Sequence, residues 1–255
     1  MSDRPCYALI GATGGIGRAL AHRLHARGAD LLIGARRGEQ LSELRQELLT
    51  GPEAGPAVDA HAVDARDFDA VATFLARAKE MPGTLKGVVN LAGSSFIRPA
   101  HRTSAEQYDD VIATNLTTAF AAVRASAKAM RKGGSVVLLS SAVADIGLAS
   151  HEALAAAKGG VAALARSAAA TYATQGLRVN AVAPGLVETP MTSGITDNEI
   201  ALKASLALHP LSRVGQPNEV ASLIDWLLTE DASWVTGQVW GIDGGLGRVK
   251  GKGRV

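Results

Sequence analysis

The chain has little of what marks membrane, secreted or disulfide-bonded proteins. Its one cysteine, Cys6, cannot form an internal disulfide, which is typical of proteins from a reducing compartment. No apolar run approaches the ~20 residues that a membrane-spanning helix needs, and residues 1–6 lack the charged and apolar regions of a signal peptide. Aromatic residues make up 4% and hydrophobic residues 47%, so a large core must be built mainly from aliphatic side chains. We expect a cytoplasmic protein that does not bind membranes.

The net charge of +2 arises at one end of the chain. Arg248, Lys250, Lys252 and Arg254 lie among glycines in the last eight residues, which leaves 22 basic and 24 acidic residues in the rest. The basic segment could touch nucleic acid or another acidic surface. Solvated chain ends are common, however, and a mildly acidic body gives nucleic acid no further attraction. We therefore predict a flexible basic tail over residues 248–255 and favour a solvated chain end over nucleic-acid binding.

Short apolar strands alternate with helical patterns along the chain. The predicted strands cover residues 7–10, 31–33, 61–63, 87–90, 135–139, 178–182 and 235–241, and a Gly/Pro segment at residues 51–56 precedes the third of them. Helical periodicity lies between the strands, for example through Val111, Leu116 and Val123. Continuously apolar strands are typical of strands buried on both faces. The alternation predicts an α/β fold: one domain over residues 1–247, with a doubly wound parallel sheet and helices on both faces.

A glycine-rich turn follows the first predicted strand and opens the first helix. It reads Gly11-Ala12-Thr13-Gly14-Gly15-Ile16-Gly17. Glycines at such a turn let the backbone approach a pyrophosphate, which the N–H groups and dipole of the helix N-terminus stabilise. The spacing is G-x-x-x-G-x-G, and a glycine cluster alone could be only a strand–helix turn. Its position between strand and helix favours a dinucleotide site in a Rossmann-type fold.

The end of the second predicted strand indicates which dinucleotide binds. Proteins that select NAD usually place Asp or Glu there to bind the ribose 2′-hydroxyl. This chain has Ala35 followed by Arg36 and Arg37, and guanidinium groups can bind a 2′-phosphate in bidentate fashion. Two solvated arginines are the alternative interpretation. The sequence favours NADP(H). It suggests no metal site, since His22 and His25 have no Cys or acidic cluster beside them.

An ordered set of further motifs resembles the classical short-chain dehydrogenases/reductases. The set comprises the glycine-rich turn, Asp64, Asn90-Leu91-Ala92-Gly93, Asn115, Ser140-Ser141, Lys158, Pro184-Gly185-Leu186-Val187-Glu188-Thr189, Thr236-Gly237-Gln238 and Asp243-Gly244-Gly245. The resemblance covers about residues 7–245. It implies cofactor contacts from Gly11, Thr13, Gly14, Gly15, Ile16, Gly17, Arg36, Arg37, Asp64, Asn90, Ala92, Gly93, Lys158, Pro184, Gly185, Val187 and Thr189.

The resemblance also implies an activity and an assembly. Hydride would pass between NADP(H) and a small-molecule carbonyl or alcohol, with Ser141 on the substrate oxygen, Lys158 on the nicotinamide ribose and Asn115 on a water. Members of this family commonly form tetramers or dimers, so a homo-oligomer is implied. Leu186 to Leu211 should cover the active site, and its Ile195, Ile200, Leu202, Leu206 and Leu208 suggest an apolar lid.

The chain departs from the family pattern at the residue that moves the proton. Members carry a Tyr four residues before the Lys, but position 154 is Leu154. Leucine cannot transfer a proton. Lys158 could pass a proton through the ribose or a water, with Ser141 orienting the substrate. His151 is an alternative donor, since residues 151, 154 and 158 share a helical face if the helix already includes His151.

Two further interpretations stay open. A lone histidine is seldom catalytic, so His151 could be a surface or loop residue. The whole site could also be degenerate, the fold then serving as an NADP-binding sensor or scaffold. In that case Leu154 would extend the apolar stripe of Val161, Leu164 and Ala168 and pack against a neighbouring helix.

Overall fold

A computed structural model describes residues 4–50 and 55–250. Its strands are β1 (Pro5–Ile10), β2 (Asp30–Ala35), β3 (Val58–Ala62), β4 (Thr84–Asn90), β5 (Gly134–Leu139), β6 (Leu177–Pro184) and β7 (Val239–Ile242). Its helices are α1 (Gly15–Ala26), α2 (Gly38–Leu48), α3 (Phe68–Ala76), α4 (Ala105–Ile112), α5 (Thr118–Ala129), α6 (Glu152–Tyr172), α7 (Ser193–Thr196), α8 (Glu199–Leu208) and α9 (Pro217–Leu228).

All seven strands form one parallel sheet in the order β3-β2-β1-β4-β5-β6-β7. The predicted single-domain, doubly wound α/β fold is therefore confirmed. The chain moves outward from β1 to β3 and then returns to the other side of β1 with β4. This reversal between β1 and β4 is the switch point at which folds of this class bind ligands, outside the carboxyl ends of the strands.

Helices cover both faces of the sheet, so the strands are buried on both sides, as their continuous apolar sequence predicts. One face packs against α1, α2 and α9 through side chains such as Leu20, Leu44 and Ile224. The other face packs against α3, α5 and α6 and is rich in alanine, with Phe74 among its few aromatic side chains. The small alanine side chains let α5 and α6 lie close to the sheet and hold their polar residues near its edge.

Two sequence predictions of regular structure are corrected. Residues 235–241 are not one strand, because Gly237 turns the backbone at φ +70° and β7 begins at Val239. The helical pattern through Val111 and Val123 is broken by a π-helical turn, Ala113–Thr117, which separates α4 from α5. Such wide turns insert a residue into the helical ladder and are frequent at functional sites.

The charged tail and the Gly/Pro segment at residues 51–56 lie partly outside the described residues. Of the predicted tail, Arg248 forms an exposed ion pair with Asp145 at 3.7 Å, whereas Lys252 and Arg254 are outside the description, as are residues 51–54 of the Gly/Pro segment. Tail and domain limits therefore stay predictions. Among the residues described, no helix combines the length and apolarity needed to cross a bilayer.

Removing a side chain from the sheet core should cost far more stability than removing one from the lid helix. Leu9 is fully buried on β1, whereas Ile200 on α8 is 83% exposed. Leu9→Ala should lower the free energy of unfolding by about 2–5 kcal/mol, and Ile200→Ala by less than about 0.5 kcal/mol. Urea unfolding followed by circular dichroism measures both values. Equal losses would contradict the placement of β1 at the centre of the core.

Candidate active site

The glycine-rich turn lies at the switch point, between β1 and α1. Gly11 adopts φ +83°, and a Cβ there would lie 2.7 Å from the backbone nitrogen of Ala92. A Cβ on Gly15 would lie 2.8 Å from Cγ2 of Thr189. Only glycine is compatible with these two approaches. The turn after β1 therefore packs directly against the segments that follow β4 and β6, and the three segments enclose the start of α1.

One cavity of about 160 Å³ opens beside this turn, and we call it the arginine cavity. Its lining includes Thr13, Gly14, Arg36, Arg37 and Asp64. Both arginines are exposed at the end of β2. Hydrogen bonding by the Arg66 guanidinium, at 2.7 Å from Asp64 Oδ2, lowers the pKa of Asp64 to about 2. Asp64 therefore stays a carboxylate, and the cavity offers two free guanidinium groups beside one paired acid.

A second cavity of about 230 Å³, the central cavity, lies against the carboxyl ends of β4, β5 and β6. It shares Leu91, Gly93 and Met191 with the arginine cavity, so the two form parts of one elongated cleft. Most of its wall is apolar. The four side chains that the sequence singled out as catalytic candidates all reach it, namely Asn115, Ser141, His151 and Lys158.

Asn115 lies in the π-helical turn and is almost completely buried. Its Nδ2 donates to the Val111 carbonyl at 3.0 Å and to Ser94 Oγ at 3.1 Å, while its Oδ1 accepts from the Ser94 backbone N–H at 3.2 Å. A buried amide needs such partners, because a buried polar group without a hydrogen bond lowers the free energy of unfolding by about 1–3 kcal/mol. The side chain therefore ties the segment after β4 to the start of α5. Ser94 was not singled out from the sequence.

Lys158 lies on α6 with 7% of its surface exposed. Its Nζ donates to the Leu139 carbonyl at 2.9 Å, and burial lowers the pKa of the ammonium from 10.5 to about 8. The backbone carbonyl of the same residue accepts from Ser140 Oγ at 2.9 Å. These two bonds fix α6 to the end of β5, which holds the ammonium against the cavity in a form that can lose its proton near neutrality.

Leu154 lies one turn before Lys158 and lines the same cavity, with 8% of its surface exposed. It therefore faces the cavity as well as packing within the fold, and the packing interpretation stays open. Ser141 follows β5 and caps a short 3₁₀ turn, where its Oγ lies 3.4 Å from the Val143 N–H. That contact is long for a hydrogen bond, so the hydroxyl stays available to a second partner.

His151 precedes the first residue of α6 instead of lying within the helix. The condition under which residues 151, 154 and 158 would share one helical face is therefore not met. The side chain nevertheless lines the central cavity, because the loop before α6 brings it there. Its Nδ1 lies 2.8 Å from the Ala149 carbonyl.

The lid prediction is partly correct. Ile195 and Leu208 line the central cavity, but Leu202 and Leu206 do not, and Ile200 points to solvent. Sequence reasoning missed His209, which follows α8 and is buried: it accepts from the Leu186 N–H at 3.2 Å and contacts the Ser205 carbonyl at 2.8 Å. No periodicity or motif in the sequence marks this histidine.

The residues predicted to hold a cofactor do not all reach the cleft. Ala92 and Gly93 line the arginine cavity, and Ile16, Pro184, Gly185, Val187 and Thr189 line the central one. Gly15, Gly17 and Asn90 line neither. A Cβ on Gly17 would lie 2.6 Å from the Ala12 carbonyl oxygen, and Asn90 is buried with its Nδ2 on Thr118 Oγ1 at 3.3 Å. Their structural role is to pack the turn and the sheet edge. Within residues 4–50 and 55–250 no group of three His, Cys, Asp or Glu side chains could hold a metal ion.

The buried ammonium predicts a pH dependence of stability. Because the pKa of Lys158 is about 8 in the folded chain and 10.5 when unperturbed, the unfolded chain binds more protons between these values. The contribution of Lys158 to the free energy of unfolding should therefore rise with pH between about 8 and 10.5, by about 3 kcal/mol in total. The free energy of unfolding of wild type minus that of Lys158→Met, measured from pH 7 to 11, reports this rise. Lys132→Met, at an exposed position, is the control, and a flat difference for Lys158→Met would contradict the buried, unpaired ammonium.

Comparison with known proteins agrees with this geometry. The family model described as enoyl-(acyl carrier protein) reductase matches residues 11–247. The chain is 35% identical over 240 residues to a 3-oxoacyl-[acyl-carrier-protein] reductase of Thermotoga maritima, covering 93% of this chain and 96% of that one. It is 37% identical over 200 residues to an inactive 2-(S)-hydroxypropyl-CoM dehydrogenase of Xanthobacter autotrophicus, covering 76% and 87%.

A solved structure of actinorhodin polyketide ketoreductase with NADPH is similar at a TM-score of 0.89, with 31% identity, and the match covers 97% of this chain and 98% of the other. The matches to the Thermotoga maritima reductase and to the ketoreductase structure extend over nearly the whole chain. The parallel sheet, the glycine turn at its switch point and these matches lead to one conclusion: the chain belongs to the short-chain dehydrogenase/reductase family.

Proposed function

We propose that this protein is an NADP(H)-dependent oxidoreductase that transfers a hydride between the nicotinamide ring and a neutral carbonyl or alcohol substrate. The observation that carries the proposal is one continuous cleft, in which Ser141, Lys158 and Asn115 line the cavity next to the glycine-rich turn. No single motif in the sequence brings these side chains together. The fold does so, because each follows or packs against the carboxyl end of a strand.

The arrangement of the cleft suits a dinucleotide with a 2′-phosphate. The N-terminus of α1 offers backbone N–H groups to a pyrophosphate, and the close approaches of Gly11 and Gly15 pack the turn against the segments after β4 and β6. Arg36 and Arg37 line the arginine cavity beside the glycine-rich turn and would bind a 2′-phosphate, and neither is paired with an acid among the described residues. The NADPH of the similar ketoreductase supports the same cofactor.

The side chains of the central cavity suggest separate roles. When bound, the cofactor donates or accepts the hydride at its nicotinamide ring. Ser141 would donate its hydroxyl to the substrate oxygen and hold the carbonyl in place, and Lys158 would bind the nicotinamide ribose through the ammonium protons not used by Leu139. Asn115 keeps the π-helical turn and Ser94 in position and would hold a water beside Lys158. The route of the proton must differ from that of relatives with a Tyr, since Leu154 occupies the corresponding position.

The substrate side of the cavity is apolar. Ile97, Val143, Leu148, Leu154 and Leu246 line it. Among the described residues of this wall, the groups that can carry a positive charge are Lys158 and two histidines. An anionic substrate would find no guanidinium in this wall. A compact, uncharged ketone or secondary alcohol therefore agrees best with a cavity of about 230 Å³.

A non-catalytic role as an NADP-binding sensor or scaffold is the second candidate. Leu154 favours it, because the wall that would supply the proton is apolar at this position. The relative in Xanthobacter autotrophicus is named an inactive dehydrogenase, so a protein with a similar sequence can lack the activity. The hydrogen bonds that position Asn115 favour the enzyme, since a protein that only binds NADP has less need of them. Lys158 does not separate the two candidates, because it would bind the ribose in either case.

A homo-oligomer and a cytoplasmic location belong to the same proposal. Trp234 is 99% exposed beside the edge strand β7, which agrees better with an interface than with the core packing expected for a tryptophan. Trp226 and Trp240, by contrast, pack edge to face at 5.6 Å.

Replacing the arginines at the end of β2 should remove the preference for NADPH. Arg36→Ala and Arg37→Ala should each weaken NADPH binding by roughly 10- to 100-fold, because a charge-assisted hydrogen bond contributes about 1.5–3 kcal/mol. NADH binding should change little. Calorimetric titration with both cofactors measures this, with Arg131→Ala as the control at an exposed position on another surface. Equal losses for the two cofactors would contradict a role in 2′-phosphate binding.

Catalysis should depend on the ammonium and hydroxyl of the central cavity. With a panel of cyclohexanone, ethyl acetoacetate and benzil, NADPH consumption by wild type should fall by at least about 100-fold in Lys158→Ala and about 10-fold or more in Ser141→Ala. Absorbance at the nicotinamide band follows the rate. NADPH binding by wild type without consumption of any carbonyl, together with activity in Leu154→Tyr, would instead identify the non-catalytic candidate.

A further inference from the structure

We propose that His151 supplies and takes up the proton that the family's tyrosine handles in other members. The inference rests on the proposed function and assigns a residue to its open step. His151 lines the central cavity together with Ser141, Leu154 and Lys158. It lies three residues before Leu154, at the start of the same helix, so its ring reaches the cavity beside the position where the tyrosine is missing.

The backbone before His151 is held in an unusual conformation. Ser150 has φ +64°, which is uncommon for a residue other than glycine and costs about 1–3 kcal/mol. Its carbonyl accepts a 2.7 Å hydrogen bond from the Arg98 N–H, on the segment that follows β4. The loop before α6 is therefore fixed to the segment after β4, whose Ile97 also lines the central cavity. This anchor directs the residue that follows Ser150 toward the cavity.

The hydrogen bond of the ring determines which nitrogen can react. Nδ1 lies 2.8 Å from the Ala149 carbonyl, which can only accept, so Nδ1 carries a proton. In the neutral ring Nε2 then has a free lone pair, and in the charged ring it has a proton to donate. Nε2 makes no hydrogen bond to any described residue. A backbone carbonyl that fixes the tautomer is the arrangement that prepares a histidine for acid–base work.

The other titratable groups of the cavity are less suited to this task. Those that line it within residues 4–50 and 55–250 are His151, Lys158 and His209. Both ring nitrogens of His209 are engaged, with the Ser205 carbonyl and the Leu186 N–H. Lys158 already donates to the Leu139 carbonyl and has the ribose as its proposed partner. Of the two histidines, His151 is therefore the one whose ring has a nitrogen free for the substrate.

The proton step balances without a further reactant. In the reducing direction the carbonyl carbon would gain the hydride that the bound cofactor supplies, and the electron pair of the C–O π bond would move to oxygen. That oxygen would take the Nε2 proton of the charged His151, which would leave a neutral ring with its Nδ1–H on the Ala149 carbonyl. In the oxidising direction neutral His151 would accept the alcohol proton at Nε2 while the cofactor takes up the hydride.

Four proteins test the assignment: wild type, His151→Ala, Leu154→Tyr and the double variant. With NADPH and the same three carbonyls, His151→Ala should lose at least about 100-fold in kcat, the contribution typical of a general acid. The double variant should recover to the level of Leu154→Tyr, because the tyrosine makes the histidine dispensable. His101→Ala, at an exposed position, is the control and should match wild type.

Unchanged turnover in His151→Ala would overturn the assignment, as would a double variant that stays as slow as His151→Ala while Leu154→Tyr is fast. Calorimetric titration with NADPH separates this failure from that of the proposed function. Absence of NADPH binding in wild type overturns both. If wild type binds NADPH but none of the four proteins consumes it with a carbonyl, the proton role of His151 is overturned and the non-catalytic candidate is favoured.

The ring itself gives a readout that needs no turnover. In ¹⁵N-histidine-labelled protein at high pH, the His151 signals, assigned by their loss in His151→Gln, should show the Nδ1–H tautomer. Histidines in water favour the other tautomer, so an Nε2–H signal at this position would contradict the hydrogen bond to Ala149 and with it the assignment.

Discussion

The seven strands run parallel, so all their carboxyl ends meet at one edge of the sheet, and the candidate chemistry of this chain depends on that constraint. Gly11, Arg36, Gly93, Ser141 and Gly185 each follow a different strand, and they are far apart in sequence. The reversal of direction between β1 and β4 opens the crevice at which these ends face one ligand. Antiparallel pairing of any central strand would move one of them to the opposite edge.

Burial is the second physical factor in the site. Asn115 and Lys158 are polar side chains withdrawn from water, and each has backbone carbonyls as partners. The alanine-rich packing of α5 and α6 allows these helices to approach the sheet closely enough for such contacts. The lowered pKa of Lys158 follows from the same burial. Burying a cation without an acid partner lowers the free energy of unfolding. An ammonium that can lose its proton beside an apolar cavity is therefore difficult to explain by stability alone.

The sequence predicts the fold well because strands buried on both faces and amphipathic helices leave strong periodic signals. Its motifs also place Asn115, Ser141 and Lys158 correctly on the cleft. It fails where the backbone departs from regular geometry. Neither residue composition nor spacing indicates the π-helical turn at Ala113–Thr117 or the positive φ of Ser150.

Single polar residues in loops are equally hard to predict. His209 lacks any pattern, although its contacts join the lid to the segment after β6. His151 could be placed near Leu154 from its spacing, but the Nδ1 contact that distinguishes it from an ordinary loop histidine needs the folded loop. Apolar character alone assigned too many residues to the lid. Ile200, for example, is an apolar residue of α8 and still points to solvent.

The central claim is that this cleft moves a hydride from NADPH to an uncharged carbonyl. The most direct test is to incubate the protein with NADPH deuterated at the nicotinamide C4 position, on either face, and cyclohexanone or ethyl acetoacetate, and to analyse the product by mass spectrometry. The account predicts an alcohol with one deuterium on the carbinol carbon, from one of the two labelled cofactors. Bound NADPH with no deuterated alcohol from either label would contradict it.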